Sequence, residues 1–302
     1  MGSTRTILLT APLDLRSTLA PLWRGRGDPT MRMAPNGVWR ATRTPEGTGT
    51  IHLQHGGSTL RVTAWGAGSE WLLEHAPEIA GLADDPAALE TRHPLIRDLS
   101  RHHPGVRFTR TLAVMESLVP AIIEQKVTGN EAHRAWRGLA QAYGEPAPGP
   151  AGRAGLRVPP NPARLATLPY FAYHPFGLER RRAETIKRAA MDARRLEAIT
   201  NIPPADAQAR LRAVPGIGPW TAAEVAARVL GDPDAVSIGD YHLPNLVAWA
   251  LAGEPRGTDE RMLELLEQFA GQRGRVIKLL EISGLAAQRR GPRYAGRRIE
   301  TI

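Results

Sequence analysis

The chain of 302 residues contains no cysteine. That excludes disulfides, cysteine-ligated zinc and iron–sulfur clusters. It also lacks any apolar run near the ~18 residues that a membrane-spanning helix needs. The apolar stretch in the N-terminal MGSTRTILLTAPLDL is too short for a signal peptide. A soluble bacterial protein of the cytoplasm, at the nucleoid, is expected, with no membrane contact. Metal-ligand spacing is missing as well. His52 and His55 lie in a strand-and-turn context with no further ligand nearby, and they read as exposed polar residues.

Acidic charge is in deficit: Asp and Glu total 30 against 39 for Lys and Arg, a net charge of +9. The sequence pI is about 10.6. Such a surface attracts a polyanion, and nucleic acid is the usual one. The length suffices for two domains with their own cores.

Residues 1–105 read as α+β. Residues 7–10, 37–43, 50–54 and 60–64 have strand patterning, with Pro45-Glu46-Gly47 and Gly56-Gly57 as turns between them. Residues 14–22 and 70–79 read as short helices. Residues 106–302 read as mainly helical. Leu112, Met115, Leu118, Val119, Ile122 and Ile123 recur at helical spacing, as do Ala132, Ala135, Trp136 and Leu139 in the next helix. Residues 144–161, rich in Pro, Gly and Ala, read as an irregular surface loop. The basic side chains of Arg180, Arg181, Arg182, Lys187 and Arg188 suggest a charged face on the helix over 177–190. Arg289, Arg290, Arg293, Arg297 and Arg298 suggest a loosely ordered basic tail.

Residues 211–243, LRAVPGIGPWTAAEVAARVLGDPDAVSIGDYHL, carry the strongest signal. Two glycines, Gly216 and Gly218, can take positive φ in the tight turn PGIGP and bring backbone close to a ligand. Pro219 suits the first turn of the helix that follows. The free amides there form an anion site suited to a phosphate. A loop with Gly231, Pro233 and Gly239 then delivers Asp240 just before another apolar helix. Asp232 and Asp234 read as turn formers.

This helix-hairpin-helix followed by an aspartate resembles the helix-hairpin-helix superfamily of DNA base-excision glycosylases. Within it, the chain is most similar to the alkylation-repair branch, DNA-3-methyladenine glycosylase II. Residues 122–128, IIEQKVT, are similar to the family's ILGQ-x-[IV]-S turn, and FGLERRRAETIKRAA to its basic helix. The layout of residues 1–105 is similar to the small β-sheet domain that precedes the family's helical core. The fold this implies is mainly α, with a small antiparallel α+β N-terminal domain.

The resemblance implies a monofunctional enzyme that extrudes alkylated purines such as 3-methyladenine or 7-methylguanine from double-stranded DNA. It acts as a monomer in base excision repair and requires no cofactor. Asp240 would stabilise positive charge on the sugar and position water, while also capping the next helix. Trp220 and Tyr241 match two pocket aromatics. Gly216, Gly218, Gln125, Lys126 and Thr221 would meet the DNA, with Lys126 filling the gap left by the extruded base. The carbonyls of Arg212, Val214 and Ile217 would hold a monovalent cation.

Two pocket positions depart from the family. A third aromatic is replaced by Glu224, and a fourth falls near Ile282, with no aromatic in residues 276–285. Glu224 and Trp220, four apart, project from one side of their helix. Glu224 either faces the pocket, where it favours cationic over neutral bases such as hypoxanthine, or pairs with Arg228 at i,i+4. Two other functions stay open: a bifunctional glycosylase/lyase for oxidised guanine, which uses a lysine where this chain has Trp220, and a non-catalytic DNA-binding hairpin.

Overall fold

A computed structural model describes residues 2–285; the basic tail expected from Arg289 onward lies outside them. Five strands form an antiparallel sheet: β1 (Ser3–Leu8), β2 (Met31–Ala34), β3 (Gly37–Thr44), β4 (Gly47–Gly56) and β5 (Thr59–Gly66), in the order β1-β5-β4-β3-β2. The sequence reading found β1, shifted by a few residues, and β3 to β5. It missed β2, a four-residue edge strand. Alternation sets the inner face. In β5, Leu60, Val62 and Ala64 are buried while Arg61 is exposed. The register brings Leu53 opposite both Val38 and Val62. This face packs on the short helices Leu15–Leu19, Ser69–Glu74 and Ala76–Ile79.

The outer face is covered too. Residues 144–161 form a two-strand ladder, Glu145–Pro146 with Arg157–Val158, around the turn of helix Pro150–Arg153. Ala147, Ala151, Leu156 and Val158 are buried there with Ala41, so this segment is a lid on the sheet and not the surface loop expected. The same lid corrects the reading of His52. Its ring is buried and stacked on Trp39 at 3.8 Å, and burial lowers its pKa. His55 is exposed, as expected.

The longer helices, numbered in chain order, are α1 (Pro94–His102), α2 (Val114–Ile123), α3 (Gly129–Tyr143), α4 (Arg180–Met191), α5 (Pro204–Arg212), α6 (Pro219–Val225), α7 (Leu243–Ala252), α8 (Asp259–Leu266) and α9 (Arg273–Ile282). Most helical apolar side chains from α2 to α6 share one core, centred on Leu118, Ile122, Leu139, Ile186 and Leu211. A second core joins α1 to α7, α8 and α9 through Ile96, Leu99, Val247, Met262 and Leu280. Helix α1 thus packs with the chain's closing helices and not with the sheet that precedes it.

Side chains bolt the sheet unit to the helices. Glu116 on α2 accepts from Arg40 Nη2 (2.7 Å), Thr42 Oγ1 (2.7 Å) and the Arg43 amide (2.6 Å). Asp28 accepts from the Arg24 and Thr30 amides and from Trp136 Nε1 on α3. These are mostly buried, charge-assisted bonds, stronger than neutral ones and costly to break singly.

Candidate active site

The hairpin joins α5 to α6 through Pro215–Gly218. Its two glycines do different jobs. Gly216 has φ +99°, and a Cβ there would meet Thr185 Oγ1 on α4 at 2.3 Å. Gly218 is extended, with φ −96° and ψ −179°, so the positive φ expected of both glycines holds for Gly216 alone. A Cβ on Gly218 would meet nothing within 4 Å. Gly216 is therefore fixed by packing and backbone geometry, whereas Gly218 faces open space at the N-terminus of α6, where unpaired amides collect.

The hairpin is tied to the turn between α2 and α3. Gln125 Nε2 donates to Gly216 O (3.1 Å) and to Thr221 Oγ1 (2.9 Å). Thr221 is 1 % exposed, so it braces Gln125 and cannot itself reach DNA. Gln125 spends its amide donors on the hairpin in the same way. Lys126, next in sequence, is exposed with φ +55°, a left-handed conformation that a side-chain-bearing residue seldom adopts. The turn thus presents Lys126 at its tip. Helix α3 then starts with a capping box, Thr128 and Glu131, each bonded to the other's backbone amide.

On α4, Arg180 and Arg181 are exposed and Arg188 Nη1 reaches Pro215 O at 3.0 Å. Arg182 does not join them. It is 3 % exposed and donates to Ile123 O and Gly177 O, pinning α4 to the end of α2. Its periodic neighbours on the helix are apolar, so the inward face claims it.

Asp240 sits at the loop end before α7. Its Oδ1 accepts the amides of His242 (2.7 Å) and Leu243 (3.0 Å), and its Oδ2 accepts Trp220 Nε1 at 3.1 Å. The capping role expected of it is met by these two amide bonds at the start of α7. Trp220 packs one face on the helical core. Tyr241 is 85 % exposed and lies edge-on to His242. Among the described residues no ring contact joins it to Trp220, so the two expected pocket aromatics are not stacked together.

Glu224 is paired: its Oε2 with Arg228 Nη2 in a short ion pair, its Oε1 with Ser237 Oγ at 2.5 Å. The i,i+4 pair exists, but inside the protein, since both side chains are largely buried. Ser237 in turn accepts the Asp240 amide on its carbonyl at 3.2 Å, so Glu224 supports the loop that carries Asp240. Its charge is already balanced, which weakens the expectation that it selects cationic bases. Burial opposes the charge of Arg228, but Glu224, Glu124 and Glu281 more than offset this and keep its pKa above the ordinary value. Arg24, from the sheet unit, pairs with Glu124 at 2.9 Å just before Gln125.

The helix continues from α6 as a π-turn, Ala226–Leu230. The carbonyls of Arg228 and Val229, released from α-type bonding, accept the amides of Thr111 and Leu112. Such widened turns are frequent at functional sites.

The sequence reading missed Glu281 on α9. Burial pushes it up to about 7, with repulsion from Glu224 and Asp240 adding to the effect and Arg228 and Lys278 opposing it. The signal was present as a lone acid in the apolar run KLLEI, at the place where only an aromatic was sought. Asp232 and Asp234 behave as read. Asp232 accepts the Asp234 amide, and Asp234 grips Arg273 at the start of α9. No group of three or more His, Asp or Glu side chains able to hold a metal occurs among the described residues. No helix among them is long and apolar enough to cross a membrane.

No family model matches the chain. In sequence it is similar to a Mycobacterium tuberculosis protein named "Probable bifunctional transcriptional activator/DNA repair enzyme AlkA", 32% identical over 165 residues. That match takes in 53% of this chain and 32% of the relative, so the chain spans about a third of the length of the curated protein it matches. In structure it is similar to the 3-methyladenine DNA glycosylase of Archaeoglobus fulgidus, with a TM-score of 0.76, 18% identity, and coverage of 92% of this chain and 97% of that one. It is also similar to the 8-oxoguanine glycosylase/lyase of Clostridium acetobutylicum in complex with double-stranded DNA, with a TM-score of 0.70, 14% identity, and coverage of 93% and 96%. The chain has the fold of the helix-hairpin-helix DNA glycosylases, and in sequence it is related to a protein named for DNA repair.

Proposed function

We propose that this protein is a monofunctional DNA glycosylase of base excision repair that removes alkylated purines from duplex DNA. The observation that carries the reading is Asp240, held by two helix-start amides and an indole N–H beside the hairpin. An alkylated purine is cationic and leaves readily, so the enzyme's main task is to stabilise positive charge on the sugar as the glycosidic bond breaks. A preoriented carboxylate does this, and water completes the substitution.

The hairpin amides grip phosphate, and Gly218 leaves room for that approach. Lys126, at the tip of a turn braced by Gln125, enters the space vacated by the extruded base. The carbonyls of Arg212, Val214 and Ile217 would hold a monovalent cation, which would tighten the hairpin. In its favour, α5 ends at Arg212, where helix carbonyls lack intrahelical partners. Against the lyase reading stands Trp220, which occupies the position where a lyase presents its amine. The chain's lysines are Lys126, Lys187 and Lys278, and Lys278 is buried against the Arg107 carbonyl at 2.6 Å.

The test is base release from duplex DNA containing 7-methylguanine. The wild type is expected to leave an intact abasic strand that breaks only in alkali. Asp240→Asn is expected to abolish release with DNA affinity kept or raised. Near wild-type release by the variant would overturn the assignment, and borohydride trapping of an enzyme–DNA adduct would favour the lyase.

A further inference from the structure

Just before α4 the chain leaves two adjacent aromatic rings in solvent. Residues Tyr170–Phe176, YFAYHPF, form a 3-10 helix, in which side chains align at i and i+3. Tyr173 and Phe176 anchor it. Tyr173 is fully buried, and its hydroxyl donates to Leu165 O at 2.8 Å. Phe176 lies edge-on to Tyr143 at 6.0 Å, in space that α3 leaves at Gly138, where a Cβ would meet the ring at 2.6 Å. Phe171, by contrast, is 65 % exposed and Tyr170 44 %, their rings edge-on to each other at 6.0 Å. A single exposed ring needs no explanation. Two in contact, on a turn anchored this firmly, with the Arg180 guanidinium over the Tyr170 ring at 4.9 Å, form a surface with a defined shape.

Hydrogen bonds fix where this surface stands. Arg180 turns outward over Tyr170, while Arg182, two residues on, turns inward and donates to Ile123 O at 2.8 Å, three residues before Lys126. At the other end of α4, Arg188 Nη1 donates to Pro215 O of the hairpin at 3.0 Å. Arg180 and Arg188 are about 12 Å apart along the helix axis, at 1.5 Å per residue. One helix therefore ties the aromatic pair, the Lys126 turn and the hairpin into one frame. The charge around the pair is positive. Arg164 lies over Tyr143 at 5.7 Å, and Arg181 is exposed. The acids of this helix are already matched: Glu184 by Arg180 and Arg188, Glu179 by Arg182.

We propose that Phe171 and Tyr170, with Arg180, are a stacking platform for an unpaired nucleobase, so that the protein binds DNA carrying unpaired nucleotides more tightly than unbroken duplex. The inference rests on the DNA contact in the reading above and not on its chemistry. Inside a duplex both faces of a base are covered by its neighbours, so only an unpaired base can offer a face to a protein ring. Every base has such a face, and an aromatic ring takes it without regard to sequence. Arg180 covers Tyr170, which leaves Phe171 as the ring for the base, while the arginines around it attract the phosphates on either side.

The experiment is a fluorescence-anisotropy titration at one fixed salt concentration, with wild type, Phe171→Ala and Phe171→Trp. The probes are an undamaged duplex and the same duplex with a short bulge of unpaired nucleotides at its centre. Expected for the wild type is tighter binding of the bulged DNA. Expected for Phe171→Ala is a loss of about tenfold on the bulged DNA, the scale of one stacked base, with affinity for the unbroken duplex nearly kept. That second result also shows that the variant is folded. Phe171→Trp keeps a stacking face and should keep the preference. No preference in the wild type would overturn the proposal, as would equal losses on the two probes or none on either. So would a Phe171→Ala effect confined to self-association in sedimentation, which would make the pair a contact between copies of the chain. A wild type that prefers bulged DNA but releases no 7-methylguanine would remove the glycosylase reading and leave the platform standing.

Discussion

The hairpin wall that carries Asp240 and the turn that braces it are built in opposite ways. The hairpin wall is contiguous: residues 211–243 supply both glycines, Trp220 and Asp240 in one stretch. The turn that braces it is assembled from afar. Gln125 reaches the hairpin from the α2–α3 turn, and Glu124, just before it, is paired with Arg24 of the sheet unit. A local turn can be specified by glycine and proline alone, because backbone geometry demands them. A wall made by convergence can be specified only by the fold.

The sharpest way to break this comparison is inside the hairpin. If the contiguous wall is read correctly, its two glycines should fail differently. Gly218→Asp puts a negative charge into open space at a phosphate-facing helix start. It should weaken binding to lesion and undamaged duplex alike, by about 1–3 kcal/mol, without changing the melting temperature. Gly216→Ala must take φ +99° and displace Thr185. It should lower stability by about 2 kcal/mol or more. DNA titration and thermal melting of both variants check this. A loss of affinity confined to lesion DNA in Gly218→Asp would move that glycine into the base pocket.

The next test asks how far Asp240 depends on its neighbour. Trp220→Phe keeps an aromatic ring but removes the N–H held by Oδ2. The carboxylate keeps its two amide bonds, so it should stay at the helix start and lose one orienting contact. Excision should slow by about tenfold, in proportion to one charge-assisted hydrogen bond, with DNA affinity nearly kept. Measuring the single-turnover rate and the duplex Kd together checks it. An unchanged rate would mean that the two amides alone orient Asp240.

What the sequence made legible follows the same division. The hairpin, the Asp240 cap and the strand patterning of β5 are all set by neighbours within a few residues, and each is read from the sequence. Arg182 was misplaced because charge was read along the helix, whereas its carbonyl partners at Ile123 and Gly177 exist only once α4 meets α2. His52 reads as exposed in the sequence because its burial comes from the Trp39 ring it stacks on, which itself packs against the distant lid. Glu224 was left between two readings. The structure shows the Arg228 pair, and adds Ser237, a partner no periodicity could reveal.

The start of α2 carries the same lesson into pH dependence. Its N-cap position, Ala113, has no side chain to offer; the carboxylate of Glu197 accepts the Val114 and Met115 amides instead, each at 2.9 Å. This is a helix cap supplied by tertiary structure. Burial pushes Glu197 up to about 7 from an ordinary value of 4.5, although the two amide bonds pull the other way. A carboxyl whose folded pKa is raised binds its proton more tightly in the native state than in the unfolded chain. Stability is therefore gained as pH falls from about 7 toward 4.5 and lost as pH rises through that window. Lys278, lowered to about 8, acts above that window. Thermal melts should thus show a higher midpoint at about pH 6 than at 7.5, by about 2–4 °C, the shift that ~1 kcal/mol produces in a chain of this size. Glu197→Gln should remove most of that slope. A slope unchanged in the variant would place the titrating groups elsewhere and leave Glu197 as a cap without a pH role.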